Sequence, residues 1–190
     1  MFIPVINVTG QYNHLITRTL TDLGVKSELV PMNITSDKLE NMKIDGFVMG
    51  GGPQRIDRDW RNLGNCPNLI KEMNLPMLGI CLTHQLIAIV FGGKAGSAKY
   101  PEYGPVEVFI DERDELLEGF ADSFKAWETH NDEIKELPKD FKILAHSEKC
   151  KVQVIRHISK PIFGAQFHPE VVHTGNGGQI FKNFIQICKR

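Results

Sequence analysis

Cys81 is the residue of this chain whose type and position are best suited to chemistry. The apolar run 77–80 predicts a buried strand and the pattern over 81–91 a helix, so the cysteine stands at their junction with no loop between them. Such a junction is typical of a nucleophile elbow, and the N–H groups at a helix start favour a charged sulfur and can hold an oxyanion. The alternative is a buried structural cysteine, the commoner fate of a lone cysteine.

A cysteine nucleophile needs a base, and the base needs a group that orients it. Among the seven histidines, His168 is favoured because it follows the predicted core strand 162–167. The next residue is proline, which holds His168 extended, so that Glu170 two residues on points to the same side and can fix its tautomer. His84, on the elbow helix, is a second candidate. A His-Pro turn with a solvated glutamate is the alternative for this segment.

A glycine-rich turn, Gly50-Gly51-Gly52-Pro53, follows the predicted strand 46–49. Consecutive glycines allow positive φ, so their N–H groups can converge on an anion or a developing oxyanion. In an open α/β sheet the carboxyl ends of parallel strands gather at one edge, where ligands collect. An ordinary turn is the alternative.

A predicted alternation of strands and helices positions these residues. In the first half, strands are predicted at 2–8, 25–30, 46–49 and 77–80, with helices at 11–23, 36–42, 61–73 and 81–91. In the second half, strands are predicted at 106–110, 124–127, 141–145, 152–157 and 162–167, before a last helix at 179–188. An alternating first half and a strand-rich second half predict an α/β fold with a mixed sheet.

Composition limits the class of protein. The 190 residues include 22 Lys and Arg against 23 Asp and Glu, which predicts one domain over 1–190 and gives no electrostatic reason to expect a nucleic acid or membrane partner. No apolar run approaches the roughly 18–20 residues of a membrane span, and the N-terminus lacks a signal-peptide pattern. The four cysteines form no C-x-x-C pair, so we expect no metal site and a reduced, cytoplasmic protein.

Together, the three chemical elements resemble those of the class I, or triad-type, glutamine amidotransferases. The glycine turn at 50–53, the G-I-C-L-x-H-Q elbow at 79–85 and H-P-E at 168–170 occur in that family's order, and the resemblance covers essentially the whole chain. It implies a flavodoxin-like α/β fold with a central, mixed, mostly parallel sheet flanked by helices. It also implies a single glutamine amidotransferase domain over 1–190.

The resemblance further implies a mechanism. Cys81 would attack the side-chain amide of L-glutamine to give a γ-glutamyl thioester, while His168 moves protons and Glu170 orients it. The other implied roles are oxyanion-hole N–H groups from Gly51, Gly52 and Leu82, and substrate binding by Gln85, His130 and Asn131.

Two longer motifs are similar to those of GMP synthase amidotransferase domains, W-x-x-H-x-D at 127–132 and H-P-E-V-x-H-T at 168–174. This likeness implies a separate glutaminase subunit that passes ammonia to an ATP-pyrophosphatase subunit, which converts XMP to GMP. ATP and magnesium would belong to that partner, and no cofactor is expected in this chain. Asp132 and His173 are expected to couple the chain to the partner.

Three alternatives stay open: a glutaminase subunit of another synthase, such as the anthranilate or aminobenzoate type, a stand-alone γ-glutamyl hydrolase, and a binding module without turnover. Two departures from the family pattern bear on the last, because Thr83 and Thr9 stand where glycine is common. A β-branched residue at 83 is expected to shift the elbow, narrow the substrate site or lower activity.

Overall fold

The computed structural model describes residues 1–190. The strands are β1 (Val5–Asn7), β2 (Leu29–Pro31), β3 (Phe47–Met49), β4 (Met77–Ile80), β5 (Lys94–Ile110), β6 (Ser123–Glu136), β7 (Phe141–Ser147), β8 (Val154–His157) and β9 (Ile162–Ala165). The helices are α1 (Asn13–Asp22), α2 (Ser36–Asn41), α3 (Ile56–Asp59), α4 (Cys66–Glu72), α5 (Leu82–Val90) and α6 (Gly177–Ile187). All strands lie in one sheet, in the order β2-β1-β3-β4-β9-β8-β7-β5-β6.

The first five strands of this order are parallel neighbours. Their successive residues face opposite sides of the sheet, so that Val5 joins the core cluster containing residues of α1 and α6, and Ile6 joins the one containing residues of α4 and α5. Because helices cover both faces of the inner strands, β3, β4 and β9 are buried at every position and carry no polar side chain. The carboxyl ends of β3 and β4 lie side by side, which places the glycine turn next to Cys81.

The other half of the sheet is antiparallel. Within it, β5 and β6 are much longer than the strands predicted at 106–110 and 124–127. Alternate positions of β6 are buried, but three of the buried positions carry Glu128, His130 and Asp132. A buried face made of polar residues gives no hydrophobic alternation, so the pattern could not extend the strand.

The helix predicted at 61–73 is wrong in its first half. The chain instead forms α3, a short 3-10 turn at Trp60–Asn62, and α4. Gly64 between them has a φ of +57°, and Pro67 lies in the first turn of α4. Proline suits the start of a helix but not its interior, so α4 begins here.

The predicted mixed α/β fold with flanking helices is confirmed. Parallel pairing is less dominant than expected, because the four parallel strand pairs are matched by four antiparallel ones. The strand predicted at 77–80 agrees with β4, and most other elements differ from prediction by a few residues at their ends. No helix combines the length and the apolar character that a bilayer crossing requires.

Candidate active site

Cys81 lies at a strained junction between β4 and α5. Its φ of 53° and ψ of −105° lie outside the regions that non-glycine residues normally adopt, and such strain clusters at functional sites. Its backbone is held by hydrogen bonds from Cys81 N to Ala165 O (2.8 Å) and from Gln85 N to Cys81 O (3.2 Å). A Cβ on Gly79 would lie 2.6 Å from Ile87 Cδ1, so glycine there lets the helix turn back closely on its strand. This is the geometry of the predicted elbow.

His168 and Glu170 lie beside this cysteine. His168 Nδ1 is 2.7 Å from Glu170 Oε1, and the His168 ring lines the same cleft as Cys81. Burial acts to lower the pKa of His168, but the charges of Glu170 and Cys81 outweigh it and hold the pKa well above its usual value. The His168 main chain is fixed by its N–H to Trp127 O (3.0 Å) and by Thr174 Oγ1, which donates to His168 O (2.7 Å). The structure thus brings together the three residues predicted as a triad.

The glycine turn lies against the same residues. Glycine is needed there for a different reason from the one expected. None of its three glycines has a positive φ; close packing excludes side chains instead. A Cβ on Gly50 would lie 2.0 Å from Asn13 Oδ1. A Cβ on Gly51 would lie 3.2 Å from His168 Cε1 and 3.5 Å from Cys81 Cβ, so this backbone passes directly beside the candidate triad.

Free backbone donors surround Cys81. The N–H groups of Gly51, Gly52 and Leu82 make no hydrogen bond within the chain. Leu82 begins α5, so its N–H belongs to the positive end of the helix dipole. Gly52, Cys81 and Leu82 line one cleft. Unpaired donors at this place are what an oxyanion hole requires, and the role of these three residues stays a prediction.

The same cleft extends from Cys81 to Gln85. The Gln85 side chain is buried, and its amide nitrogen donates to Asp132 O (2.6 Å) and to Gln166 Oε1 (2.9 Å). Its amide oxygen has no partner in the chain and is an acceptor available to a ligand.

His130 and Asn131 form another wall of this cleft. The His130 ring is buried, with Nδ1 2.9 Å from Asp132 O and Nε2 3.0 Å from Glu102 Oε2. His130 can therefore offer a ligand its main chain but not its ring. Asn131 is exposed, and its Oδ1 accepts a hydrogen bond from Tyr103 Oη (2.6 Å). The structure thus gathers the predicted substrate residues at one cleft, and their binding role stays a prediction.

The two residues expected to couple to a partner have different surroundings. His173 is exposed and packs on the Trp127 ring, with centroids 4.7 Å apart. Asp132 is buried, and its carboxylate lies 2.7 Å from Arg55 Nη2 and accepts from the Ile56 N–H at 2.9 Å. Any effect of Asp132 on a partner must therefore pass through the segment after the glycine turn, which it anchors.

Three further residues reach the site without having been predicted from the sequence. Thr129 Oγ1 lies 3.1 Å from His168 Nε2, and Gln166 Nε2 lies 3.7 Å from Cys81 Sγ. The Tyr12 ring packs edge-on against the His168 ring, with centroids 5.1 Å apart. Gln166 stands two residues before His168, so the side-chain rule for an extended chain could have indicated it. Thr129 had no such signal, because the strand predicted from the hydrophobic pattern ends at residue 127, before Thr129.

His84, the second candidate base, points away from the cleft. It is fully buried, and its Nε2 lies 3.1 Å from Val152 O. A Cβ on Gly164 would lie 2.6 Å from its Nδ1, so the ring packs against β9. Burial lowers the pKa of His84 to about 3. The idea that His84 serves the site is therefore wrong.

The two threonines that replace common glycines differ in their geometry. Thr83 is fully buried and lines neither cleft at Cys81, so the expectation that it narrows the substrate site is wrong. Thr9 has a φ of 69°, which explains why glycine suits that position. Its conformation is supported by hydrogen bonds from its N–H to Asn7 Oδ1 (2.9 Å) and from Gln54 Nε2 to its hydroxyl (3.2 Å).

A second buried polar cluster surrounds Glu102. Its carboxylate accepts from Ser147 Oγ (2.7 Å) and Gln153 Nε2 (2.9 Å) and pairs with His130 Nε2 (3.0 Å). Together with Cys150, Glu102 and His130 place possible metal-ligand atoms within 4.8 Å of one another. Those possible ligand atoms already have hydrogen-bond partners in the chain, while Gln153 Oε1 beside them is buried without a partner. The expectation that this chain holds no metal stays a prediction.

Comparison with known proteins agrees with the geometry. The family model described as glutamine amidotransferase class-I matches residues 4–188. A glutamine-hydrolysing GMP synthase subunit of Archaeoglobus fulgidus is 48% identical over 100% of both chains. The protein of the same name from Methanosphaera stadtmanae is 46% identical over 100% of this chain and 99% of its own.

Solved structures show the same similarity. A Thermoplasma acidophilum protein described as a candidate GMP synthase subunit superposes with a TM-score of 0.94 at 41% identity, over 100% of this chain and 94% of its own. A Thermotoga maritima glutamine amidotransferase has a TM-score of 0.74 at 21% identity, over 100% of this chain and 82% of its own, and shows the fold alone. From the family match over nearly its whole length, this chain belongs to the class-I glutamine amidotransferases.

Proposed function

We propose that this chain is the glutamine-hydrolysing subunit of a GMP synthase, working with a separate protein that aminates XMP. The observation that carries the proposal is the position of Cys81, at a strained elbow beside a histidine that is hydrogen-bonded to Glu170. Relatives that are 46% and 48% identical from end to end are named as glutamine-hydrolysing subunits of GMP synthase. Those names support both the substrate and the assembly.

In the first half-reaction, Cys81 Sγ attacks the side-chain carbonyl carbon of L-glutamine, and the thiol proton passes to His168. The carbonyl oxygen becomes an oxyanion, which the free N–H groups of Leu82 and the glycine turn stabilise. His168 protonates the departing nitrogen, the C–N bond breaks, and ammonia leaves a γ-glutamyl thioester on Cys81. Glu170 orients the imidazole and stabilises its charged form, consistent with the raised pKa of His168.

In the second half-reaction, water replaces the ammonia. His168 takes a proton from the water as its oxygen attacks the thioester carbon, and the same N–H groups hold the second oxyanion. The C–S bond then breaks, glutamate leaves, and the sulfur recovers its proton from His168. Thr129, whose hydroxyl lies 3.1 Å from His168 Nε2, is proposed to keep this nitrogen directed to the reacting atoms.

Glutamine is proposed to lie in the cleft that runs from Cys81 to Gln85 and Asn131. The unpartnered amide oxygen of Gln85 suits the α-ammonium group, and main-chain groups around His130 and Asn131 suit the remaining polar atoms. This placement leaves the side-chain amide of the substrate at the sulfur, between the free N–H groups.

The partner protein is proposed to dock at a groove beside the triad. The groove is lined by Tyr12, Trp127, Val172 and His173, and it reaches Glu170. Val172 is 90% exposed and shares the groove with Leu15 and with the two aromatic rings. A contiguous apolar surface with polar residues at its rim is typical of an interaction site. Docking here would shelter the released ammonia from water, in which most of it would become unreactive ammonium.

ATP and magnesium are assigned to the partner. The residues around Cys81 provide an acid, a base and oxyanion donors, which is all that amide hydrolysis through a thioester needs. We therefore propose no cofactor for this chain.

The test is glutamate release by the purified chain and by Cys81→Ala, each with and without an ATP-pyrophosphatase partner loaded with ATP, magnesium and XMP. We expect strong stimulation by the loaded partner and no release by the variant. GMP formation should need Cys81 when glutamine supplies the nitrogen, but not when an ammonium salt supplies it. Release that ignores the partner would instead indicate a stand-alone hydrolase.

The groove is tested with Val172→Asp. A charge at this apolar position should lower stimulation by the loaded partner about tenfold or more, while basal release stays unchanged. Ile158→Asp is the matched control, because Ile158 is also a well-exposed apolar residue but does not line the groove. Equal losses in both variants would contradict docking at this groove.

A further inference from the structure

Thr83 departs from the glycine that is common at its position, and its hydroxyl has defined partners. The side chain is fully buried. Its Oγ1 accepts a hydrogen bond from the Ile80 N–H at 2.9 Å and donates to Met49 O at 2.6 Å, with Gly50 O a further acceptor at 3.1 Å. The hydroxyl therefore acts as donor and acceptor at once.

These partners belong to two different strands. Met49 ends β3 and Ile80 ends β4, and the paired register of the two strands stops at Met49 and Gly79. The hydroxyl joins the strands at the point where they separate, one into the glycine turn and the other into the elbow. Hydrogen bonds to both strand ends hold the hydroxyl in one place.

The two segments that leave this point carry two parts of the proposed reaction. The turn presents the free N–H groups of Gly51 and Gly52, and the elbow presents Cys81. A Cβ on Gly51 would lie only 3.5 Å from Cys81 Cβ, so a small change in strand spacing moves the donors relative to the sulfur. Catalytic groups tolerate little displacement, since a shift of about 1 Å can cost on the order of 100-fold in rate.

We propose that Thr83 is a positioning residue for glutamine hydrolysis, whose hydroxyl sets the spacing between the glycine turn and Cys81. It lines neither cleft at the sulfur and acts through the ends of β3 and β4. The proposal rests on the proposed function, because it concerns the rate of the same reaction. It does not depend on which protein receives the ammonia.

The test compares Thr83→Val and Thr83→Ser with the wild type, in glutamine hydrolysis with the loaded partner present. Valine keeps the shape of threonine without its hydroxyl, and serine keeps the hydroxyl. Thr83→Val should lower kcat about 10- to 100-fold and leave KM within about threefold, and Thr83→Ser should recover most of kcat. Thr21→Val is the matched control, because the Thr21 hydroxyl donates to Thr17 O on the exposed side of α1, and it should behave as wild type.

A second readout separates positioning from damage to the elbow. Alkylation of Cys81 by iodoacetamide uses the sulfur but forms no oxyanion, so its rate should agree within about twofold in the wild type and both variants. Mass spectrometry of the peptide that contains Cys81 measures it. Loss of alkylation in parallel with kcat would contradict the proposal, as would full kcat in Thr83→Val or a serine variant as slow as the valine variant.

Folding of each variant is checked by circular dichroism. If Thr83→Val does not fold, Thr83→Ala takes its place in the same comparison, since alanine also lacks the hydroxyl. A wild-type chain that releases no glutamate with the loaded partner contradicts the proposed function and this role together. An active wild type with an unimpaired Thr83→Val contradicts only the role of Thr83.

Discussion

Two groups of cysteine, histidine and glutamate are buried in this fold, and they share a close histidine–glutamate pair but differ in the surroundings of the sulfur. The open group consists of Cys81, His168 and Glu170, and the closed group of Cys150, His130 and Glu102. Histidine and glutamate pair at 2.7 Å in the open group and at 3.0 Å in the closed one. In both groups, glutamate holds the histidine pKa above its usual value against the effect of burial.

The two groups differ in the surroundings of their sulfur atoms, Cys81 Sγ and Cys150 Sγ. Cys81 borders two clefts and has a positive φ, with free N–H groups around it. Cys150 borders neither of these clefts, its thiol contacts Val152 O at 3.7 Å, and burial raises its pKa. The carboxylate of the closed group also binds Ser147 and Gln153. Residue types alone therefore do not identify a candidate active site. A cleft that reaches the sulfur, unpaired backbone N–H groups and a strained backbone distinguish the open group from the closed one.

Replacing the cysteine of each group by alanine should give the largest difference in activity between the two groups. Cys81→Ala should lower glutamine hydrolysis on the order of 10⁴-fold or more, because no other group near it can form the thioester. Cys150→Ala should keep kcat within about twofold and cost about 1–2 kcal/mol of unfolding free energy through its small cavity. Glutamate release and urea denaturation measure the two effects. A large loss of kcat in Cys150→Ala would break the distinction between the groups.

Neutralising each carboxylate should give the next largest effect. Glu170→Gln should lower kcat on the order of 10³-fold, because the imidazole loses its orienting charge. Glu102→Gln should leave kcat within about threefold but lower the unfolding free energy by about 1–3 kcal/mol, because the buried His130 loses its charged partner. The same two assays apply. If Glu102→Gln slows hydrolysis as much as Glu170→Gln, the closed group is not merely structural.

Glu128 lies near the closed group and should contribute to the pH dependence of stability. Its carboxylate is 3.7 Å from His130 Nε2 and has no hydrogen-bond partner. Burial raises its pKa from 4.5 to about 7, against the opposing charge of His130. Between pH 4.5 and about 7, the folded chain keeps a proton on Glu128 that the unfolded chain has lost. The stability that Glu128 contributes is therefore fully present below pH 4.5 and is lost as the pH rises through about 7, where the buried carboxylate becomes charged.

Replacing this carboxyl should remove that pH dependence. Glu128→Gln should be more stable than the wild type by about 2–3 kcal/mol at pH 8 and no more stable at pH 4. Urea denaturation across this range measures the difference, with the exposed Glu118→Gln as control. A constant difference at every pH would show that Glu128 does not titrate in this window.

The smallest effect concerns strain next to the open group. Thr9→Gly should raise the unfolding free energy by about 0.5–1 kcal/mol, because relief of the positive φ exceeds the greater backbone entropy of glycine in the unfolded chain. The loss of the contact from Gln54 reduces the gain. A melting temperature higher by about 2 °C is expected. A lower melting temperature would mean that the threonine hydroxyl outweighs the strain.

Much of the candidate site was predictable because its chemistry is local. The strand and helix around Cys81 and the i, i+2 spacing of His168 and Glu170 lie within short windows, where apolar periodicity and proline geometry apply. The glycine turn was also found, but its physical reason was not. Its glycines are needed because of Asn13 and His168, which are distant in the sequence.

The sequence by itself was enough to select Cys81, His168 and Glu170 as the candidate triad and to predict the alternation of strands and helices in the first half, apart from α3. Tertiary structure alone decided the length of β6, the contact of Thr129 with His168, the exclusion of His84 and the place of the Thr83 hydroxyl between two strand ends. Each of these depends on polar groups that meet across long sequence separations. Hydrophobic periodicity reports only which apolar residues face inward, so buried polar pairings leave no mark in it.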